Sequence, residues 1–286
     1  MKNALTFDIE EYFHAEVFAH ALRPDEWPGL ASRVVDTTER LLDILDYADV
    51  RATFFILGWI AERYPALVKD IAARNHEIAC HGYGHQMIHR QSRQEFAKDL
   101  QRAKTAIEDA AGTAVIGYRA PTFSVVRETM WSLEVLWEAG FLYDSSIFPI
   151  VHDRYGIPDA PRFPHRVSIT NGHGIAEFPL STTTVLGRRV PIAGGGYFRL
   201  LPYPLTRRFI RRLNTREHQP AIVYLHPWEL DVHQPRVRVG WLSQLRHSVN
   251  THSTEGKLRR LLADFRFAPV RDILARSGVL TLDEAH

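Results

Sequence analysis

The stretch Ala4-Leu-Thr-Phe-Asp-Ile-Glu10 joins a short apolar strand, Ala4–Phe7, to two carboxylates. From Val34 to Ala48 the apolar residues are spaced for one face of a helix, so the chain is predicted to open with a strand and then a helix. Side chains two residues apart on a strand point the same way. Asp8 and Glu10 are therefore predicted to face one side at the end of the first strand, if that strand continues.

The strand and helix pattern repeats along the residues that follow. Gly112 and Gly140 mark the ends of two of the helices. The predicted strands are Ala52–Leu57, Glu77–Cys80, Val115–Tyr118 and one beginning at Tyr143, and the predicted helices are Pro65–Ala73, Arg93–Ala111 and Thr129–Ala139. Such alternation predicts right-handed βαβ units around a parallel sheet, and this many units favour an α/β barrel over an open sheet.

Prolines and Gly194-Gly-Gly196 interrupt the pattern between Phe148 and Gly196, which indicates a Pro/Gly-rich insertion. Within it, Ala176–Phe178 is a predicted strand and Ser181–Leu186 is a β-prone run. Alternation then resumes, with a predicted helix at Tyr203–Leu213 and a closing strand at Ala221–Leu225. Because no repeat, low-complexity segment or long linker divides the chain, one domain is predicted over residues 1–286.

Composition excludes several classes of protein. The chain of 286 residues is 45% hydrophobic and 24% charged with a formal charge of +2, which gives no support for a nucleic-acid partner. It contains no run of about eighteen apolar residues, so no membrane span is predicted. The N-terminus has no apolar stretch of signal-peptide length. Cys80 is the only cysteine, interpreted as a small buried strand residue, and its isolation suits a reducing compartment. A cytoplasmic location is expected.

A histidine pair, His81-Gly-Tyr-Gly-His85, follows the predicted strand that ends at Cys80. Functional groups of parallel α/β folds gather at the C-terminal ends of strands, so these imidazoles are predicted to meet the carboxylates after the first strand and to bind a divalent metal. The two glycines indicate a tight loop, and the pattern lacks the glutamate of the H-E-x-x-H metalloprotease motif. His89, four residues beyond His85, makes a competing pair, although the position at the strand end favours His81 and His85.

Three later strand ends also carry polar groups. Arg119 follows the strand that ends at Tyr118 and is a candidate to orient a carboxylate through a bidentate contact. Asp144 and His226 follow two later strands, and an aspartate that holds a histidine protonated would create a general acid. Trp228, two residues beyond His226, is predicted to wall an apolar pocket.

Taken in order, these segments resemble the five motifs of the NodB-type polysaccharide deacetylases, also called carbohydrate esterase family 4. The segments are Thr6-Phe-Asp-Ile-Glu10, His81-Gly-Tyr-Gly-His85, Arg119-Ala-Pro-Thr-Phe123, Asp144 and Leu225-His226. The resemblance spans roughly residues 4–228 and leaves residues 229–286 as a C-terminal extension. It implies a distorted (β/α) barrel of about seven parallel strands and metal-dependent removal of N-acetyl groups from amino sugars. The surrounding sequence is similar to a subgroup associated with bacterial exopolysaccharide and exosortase gene clusters.

The resemblance also implies roles for individual residues. Asp8 would be the catalytic base and His226 the acid, with Arg119 orienting Asp8 and Asp144 biasing His226 toward imidazolium. Glu10, His81 and His85 would hold the metal, most simply Zn²⁺, with Co²⁺, Ni²⁺ and Mn²⁺ as alternatives. The family commonly has two adjacent aspartates in its first motif, whereas Ile9 separates Asp8 from Glu10 here, and Glu11 is the fallback ligand. Substrate contacts are expected from Tyr118, Pro121, Phe123 and Trp228.

Two other functions fit the same residues. One is an amide hydrolase of the same fold that acts on a small non-sugar amide, and the other is a non-catalytic carbohydrate-binding module. For the deacetylase, the expected partner is an N-acetylated sugar or oligosaccharide, and a homo-oligomer is left open. The segment Val185–Tyr203 is expected to act as a lid over the substrate cleft.

Overall fold

The structure, a computed structural model, describes residues 1–192, 194–235, 237, 240 and 249–281. Its first half alternates strands with helices. In chain order these elements are β1 (Lys2–Ile9), α1 (Val34–Tyr47), β2 (Thr53–Ile56), α2 (Gly58–Arg63), α3 (Pro65–Ala73), β3 (Glu77–Cys80), α4 (Arg93–Ala111), β4 (Gly117–Tyr118), α5 (Ser132–Glu138) and β5 (Tyr143–Asp144).

The second half begins with strands rather than helices, in the region that the sequence marks as an insertion. The alternation returns after this region. In chain order these elements are β6 (His165–Ser168), β7 (Gly174–Glu177), β8 (Thr182–Val185), β9 (Arg188–Pro191), α6 (Gly195–Leu200), α7 (Tyr203–Arg216), β10 (Ile222–Leu225), α8 (Thr251–Asp264), β11 (Arg266–Ala268) and α9 (Val270–Arg276).

The central sheet is curled into a half barrel with the strand order β10-β1-β2-β3-β4-β5-β7-β6. The first seven of these strands run parallel, and β6 is antiparallel to β7. Strands β8 and β9 form a separate hairpin. The predicted distorted (β/α) barrel of about seven parallel strands is confirmed.

Strand β1 lies inside the sheet, and its side chains point alternately to the two faces of the sheet. Leu5, Phe7 and Ile9 are fully buried in the larger hydrophobic core, against the helices, where each contributes about 1.5–3 kcal/mol of burial free energy. The alternate residues Thr6 and Asp8 face the opposite side of the sheet. The polar end of β1 therefore points into the half barrel.

Helix α4 shows how local sequence sets the element bounds. Ser92 and Glu95 form a reciprocal capping box at its start, and Gly112 ends it with a φ of +67° in the left-handed region. The predicted bounds of this helix are confirmed. No helix in the described part of the chain is both long and apolar enough to cross a membrane.

Two features were not predicted. Gly58 begins α2, a helix that the sequence did not indicate. A Cβ at this position would lie 2.7 Å from Cα of Ala103 on α4, so only glycine allows the two helices to approach so closely. The segment predicted as a C-terminal extension supplies β11, which pairs with the start of β1 and sets Lys2 opposite Arg266. That pairing joins residues far apart in sequence, which local patterns do not reveal.

Candidate active site

The C-terminal ends of four strands bring the predicted polar groups to one edge of the sheet. Asp8 is on β1, and Glu10 comes directly after that strand. His81 follows β3, Arg119 follows β4 and His226 follows β10. Because these strands are parallel, their loops converge at the same end, as the sequence predicts.

Glu10, His81 and His85 form the one group of potential metal ligands found in the described residues, with ligand atoms within 4.8 Å of one another. Nε2 of His85 lies 2.9 Å from Oε2 of Glu10, yet Oε2 has no hydrogen-bond partner among the described groups. The other carboxylate oxygen accepts a 3.0 Å hydrogen bond from Nε1 of Trp228. A buried carboxylate oxygen that is not hydrogen-bonded beside two imidazoles is a donor set suited to a divalent cation such as Zn²⁺.

Protonation in this triad favours metal binding. Nδ1 of His81 lies 2.8 Å from the carbonyl oxygen of Arg119. A carbonyl can only accept, so Nδ1 carries the proton and Nε2 keeps a lone pair. Burial lowers the pKa of His81 to about 4, so the ring is neutral at neutral pH. Burial alone would raise the pKa of Glu10, but the facing His85 and His226 lower it well below its usual range. Glu10 and His81 therefore have the ionisation states that metal ligands require.

The loop that carries the histidines is held by its glycines and by α4. Gly82 and His85 both have left-handed backbone angles, with φ of +75° and +52°, which the first residue adopts without strain. The backbone N–H of Tyr83 donates a 2.9 Å hydrogen bond to Oδ2 of Asp99 on α4. His89 lies outside the triad and lines a neighbouring groove, so the structure brings together His81 and His85 rather than the competing pair.

The alternative carboxylate, Glu11, is engaged elsewhere. It accepts hydrogen bonds of 2.5 Å from Oγ of Ser32 and 2.9 Å from the backbone N–H of Arg33, just before α1. Through these contacts Glu11 holds the chain at the start of that helix. Of the two candidate glutamates, the structure places only Glu10 against the histidines.

Arg119 is fully buried and fixes Asp8. Its Nη1 donates to Oδ1 of Asp8 at 2.7 Å and to Oγ1 of Thr6 at 2.8 Å. Ser145 accepts two further bonds from the same guanidinium, through its backbone oxygen and its hydroxyl. The second oxygen of Asp8 lies 3.9 Å from Nε2 of His226. Arg119 therefore contacts Asp8 as predicted, through one nitrogen rather than a bidentate fork, and leaves Oδ2 toward His226.

The partner of His226 is Glu229, which the sequence reasoning missed. Nδ1 of His226 lies 2.8 Å from Oε1 of Glu229, and the other oxygen of Glu229 accepts a 2.6 Å bond from Nε of Arg199. Burial lowers the pKa of His226, but the negative charges of Glu10, Glu229 and Asp8 outweigh it and raise the pKa to about 9. The i,i+3 spacing of His226-Pro-Trp-Glu229, which matches that of a capping box, was the available signal.

The predicted pairing of Asp144 with His226 is therefore wrong. Asp144 accepts a 2.5 Å hydrogen bond from Oγ of Ser146 and lies opposite Glu177 on the neighbouring strand β7. Burial raises the pKa of Asp144 to about 6, and burial together with Asp144 raises the pKa of Glu177 well above its usual range. The hydroxyl of Ser146 in turn accepts from the backbone N–H of Ala120 at 2.7 Å. Through Ser146, Asp144 thus supports the loop that carries Arg119. It does not reach His226, because four strands of the sheet separate β5 from β10.

A pocket of 170 Å³ opens over these groups, and it tests the predicted substrate contacts. Phe123 and Trp228 line it, together with Tyr155, which was not predicted. Tyr118 does not, since its ring is buried in the core against Phe96 and Phe141. Pro121 does not line the pocket either. The side chain of Tyr118 points to the helices because it precedes Arg119 by one residue on an extended segment.

A larger groove of 840 Å³ continues from this pocket, and the residues that line both are Ala15, Glu16, Thr122, Tyr155 and Trp228. Many ionisable side chains line the groove. Its ionisable lining residues are Glu16, His20, His89, Arg90, His152, Asp153, Arg154 and Arg199. Pocket and groove together form a continuous cleft that is wider than one small ligand.

The glycine run expected in a lid is packed into the pocket wall. Gly195 and Gly196 line the pocket at the start of α6. At Gly194 a Cβ would lie 1.8 Å from Cε1 of Tyr224, the residue with which Gly194 forms a parallel β-bridge. The glycines thus permit close approach to the Tyr224 ring, and lid motion stays a prediction.

Comparison with protein families divides the chain into two matched regions. Residues 4–141 match the polysaccharide deacetylase family. This region is a polysaccharide deacetylase domain of the NodB type. Residues 145–275 match a domain of unknown function, DUF3473. The deacetylase domain contains Asp8 and the Glu10 triad, whereas His226 and Glu229 belong to the second region. The site is therefore assembled from both.

Curated relatives support the same domain. The peptidoglycan deacetylase-like protein FGM2 of Gibberella zeae is 36% identical over 110 residues, which is 38% of this chain and 32% of that protein. The peptidoglycan-N-acetylglucosamine deacetylase of Bacillus cereus is 32% identical over 124 residues, or 43% of this chain and 42% of that protein. The chain thus spans less than half the length of these two relatives.

A solved structure extends the similarity beyond the deacetylase domain. The crystal structure of a putative polysaccharide deacetylase from Mycobacterium smegmatis has a TM-score of 0.63 and 25% identity. The alignment covers 97% of this chain and 91% of that one. Both matched regions of the chain are therefore found together in one known fold.

Proposed function

We propose that this protein is a metal-dependent hydrolase that removes N-acetyl groups from amino sugars of a glycan or glycan precursor. The observation that carries the proposal is the placement of Asp8 and His226 beside the triad of Glu10, His81 and His85 in one pocket. A base, an acid and a metal triad are the parts that hydrolysis of an amide requires. The named activities of the curated relatives support the substrate class.

The triad would hold the divalent cation, with Zn²⁺ first among the candidates. When bound, the cation supplies Lewis-acid polarisation of the acetyl carbonyl and a water of lowered pKa. The protein's own part begins with Asp8, whose Oδ1 is fixed by Arg119 at 2.7 Å while Oδ2 faces His226. Asp8 accepts a proton from water at Oδ2, and Arg119 keeps the carboxylate oriented for that transfer.

His226 supplies the second proton transfer. Its Nδ1 is held by Glu229 at 2.8 Å, so Nε2 is the nitrogen turned toward the pocket. With its pKa raised to about 9, the ring carries a proton at neutral pH and donates it from Nε2 to the departing amine. Glu229 keeps the ring oriented and stabilises the imidazolium, and Arg199 holds Glu229 in place.

The cleft suits a sugar rather than a small amide alone. The 170 Å³ pocket takes the acetamido group and its sugar ring, with Phe123 and Trp228 as apolar walls. The connected groove of 840 Å³ takes neighbouring units of the glycan. Its polar lining provides hydrogen bonds that hydroxyl-rich substrates use.

Acetate release from N-acetylglucosamine oligomers, with Zn²⁺ supplied, tests the proposal. Loss of a general base or acid costs about 10²–10⁴-fold in rate, and we expect losses in that range in Asp8→Asn and in His226→Ala. Asp25→Asn is the matched control, because the side chain of Asp25 is 70% exposed and does not line the pocket. Unchanged rates in both site variants would contradict the proposal. Release of formate or ammonia from small amides would identify the protein as another amide hydrolase. Glycan affinity without turnover would identify it as a binding module.

A further inference from the structure

Helix α7 has an unusual charge distribution. Its fourteen residues, Tyr-Pro-Leu-Thr-Arg-Arg-Phe-Ile-Arg-Arg-Leu-Asn-Thr-Arg from Tyr203 to Arg216, include five arginines and no acidic residue. The inner side, with Ile210 and Leu213 among others, is buried in the fold. Arg208, Arg211, Arg212 and Arg216 recur at three- and four-residue spacing and are all exposed. These four side chains, called here the α7 arginine stripe, form one continuous outer face.

The carboxylates near this stripe do not balance it. Asp264 lies 3.0 Å from Arg207 and 3.9 Å from Arg211. Glu217 is shared between Arg162, at 2.7 Å, and Arg212, at 3.7 Å. Within the part of the chain that the structure describes, Arg208 and Arg216 form no ion pair with a carboxylate. The face therefore has a net positive charge. Arg260, on the adjoining helix α8, is also exposed.

Apolar side chains flank the stripe at its N-terminal end. Leu200, the last residue of α6, is 57% exposed, and Leu205 is 36% exposed. Leu205 precedes Arg208 by three residues, so both lie on the same side of α7. Exposed leucines beside arginines on the outer face of a helix suit the headgroup and acyl boundary of a bilayer. A soluble polyanion such as a nucleic acid offers the leucines no apolar partner.

We propose that the α7 arginine stripe, with Leu200 and Leu205, docks this protein on the surface of an anionic lipid bilayer. Charge complementarity favours the anionic bilayer as the partner, because each arginine near an anionic leaflet adds its own electrostatic attraction to the lipid headgroups. Helix α6 runs from Gly195 in the pocket wall to Leu200. Its six residues span about 9 Å, so the docked surface begins one short helix from the pocket.

Vesicle co-sedimentation of the full chain tests the inference without any measurement of catalysis. The probe is vesicles of phosphatidylcholine with about one third phosphatidylglycerol, compared with pure phosphatidylcholine. We expect binding to the anionic vesicles only, and its loss in about 1 M salt, where the screening length falls to about 3 Å. Arg208→Gln with Arg216→Gln is expected to weaken partitioning about 25-fold, since each arginine contributes about fivefold.

Two further variants separate the contributions. Lys69→Gln with Lys98→Gln removes the same charge from exposed positions on α3 and α4 and is expected to leave partitioning within about twofold of the parent. Leu200→Ser with Leu205→Ser is expected to weaken binding without changing its salt dependence. Equal effects of the two charge variants, or absence of binding to anionic vesicles, would overturn the inference. Retention on heparin without vesicle binding would also overturn it and assign the stripe to a soluble polyanion. Because acetate release is scored separately, failure here leaves the proposed hydrolase unaffected.

Discussion

Replacing Glu229 by glutamine removes one negative charge 2.8 Å from Nδ1 of His226 while keeping the size of the side chain. A hydrogen bond to a charged group contributes about 1.5–3 kcal/mol, and one pKa unit corresponds to about 1.36 kcal/mol. The pKa of His226, raised to about 9 in the parent, is therefore expected to fall by about one to two units in Glu229→Gln.

The direction of the pH effect follows from that raised pKa. The imidazolium of His226 is present below a pH of about 9 in the parent and is lost above it. In the variant it is lost about one to two units lower. If His226 is the proton donor, the alkaline limb of the rate profile moves down by the same amount, while rates near pH 6 change little.

Histidine NMR on the metal-free protein measures this shift directly, with His226→Ala used to assign the resonance. Glutamine still offers an oxygen to Nε of Arg199, but the buried guanidinium loses its ion pair, so a lower melting temperature is also expected. Asp144→Asn is the control, because Asp144 was the predicted partner and is bonded to Ser146 instead. An unchanged pKa of His226 in Glu229→Gln, or an equal fall in Asp144→Asn, would refute the assignment of Glu229 as the partner of His226.

Two further predictions concern the metal triad and the pocket wall. Glu10→Gln is expected to lower Zn²⁺ affinity by at least about 100-fold, since even changes to residues that only contact the ligands cost about 10–100-fold. Glu11→Gln is expected to retain the Zn²⁺ affinity of the parent. Titration calorimetry measures both affinities, and equal losses in the two variants would contradict the assignment of Glu10 as the ligand. Gly194→Ala, whose Cβ would lie 1.8 Å from Cε1 of Tyr224, is expected to destabilise the fold by about 1–3 kcal/mol or more. Gly196→Ala, whose nearest neighbour would be 4.0 Å away, is expected to melt close to the parent, and thermal unfolding of the pair gives the comparison.

The parts of the site that local patterns predict are those fixed by strand periodicity. Asp8 and Glu10 share a side because they are two residues apart, and His81 and Arg119 follow strands whose apolar runs are visible in the sequence. A parallel sheet then brings those loop positions together without further information. The barrel and the base-and-triad cluster were accessible for this reason.

The remaining features depend on geometry that a linear pattern does not encode. Glu229 displaced Asp144 as the partner of His226 because a short 3₁₀ turn folds it back over three residues. Tyr118 was predicted as a substrate contact, but one residue of offset on the strand turns its ring into the core. Strand β11 was missed because its partner β1 is at the other end of the chain.

The position of β1 also bears on how the molecule folds. Its neighbours on one side come from residues 222–225 and at its start from residues 266–268, so the first strand synthesised pairs with segments made more than 200 residues later. Contacts of such long sequence separation slow folding, because the loop between them must be closed first. Until β10 arrives, β1 has an unpaired edge, and such edges recruit other chains. Since His226 follows β10 and Asp8 lies near the end of β1, the proposed acid and base are brought together only when the two ends of the chain have met.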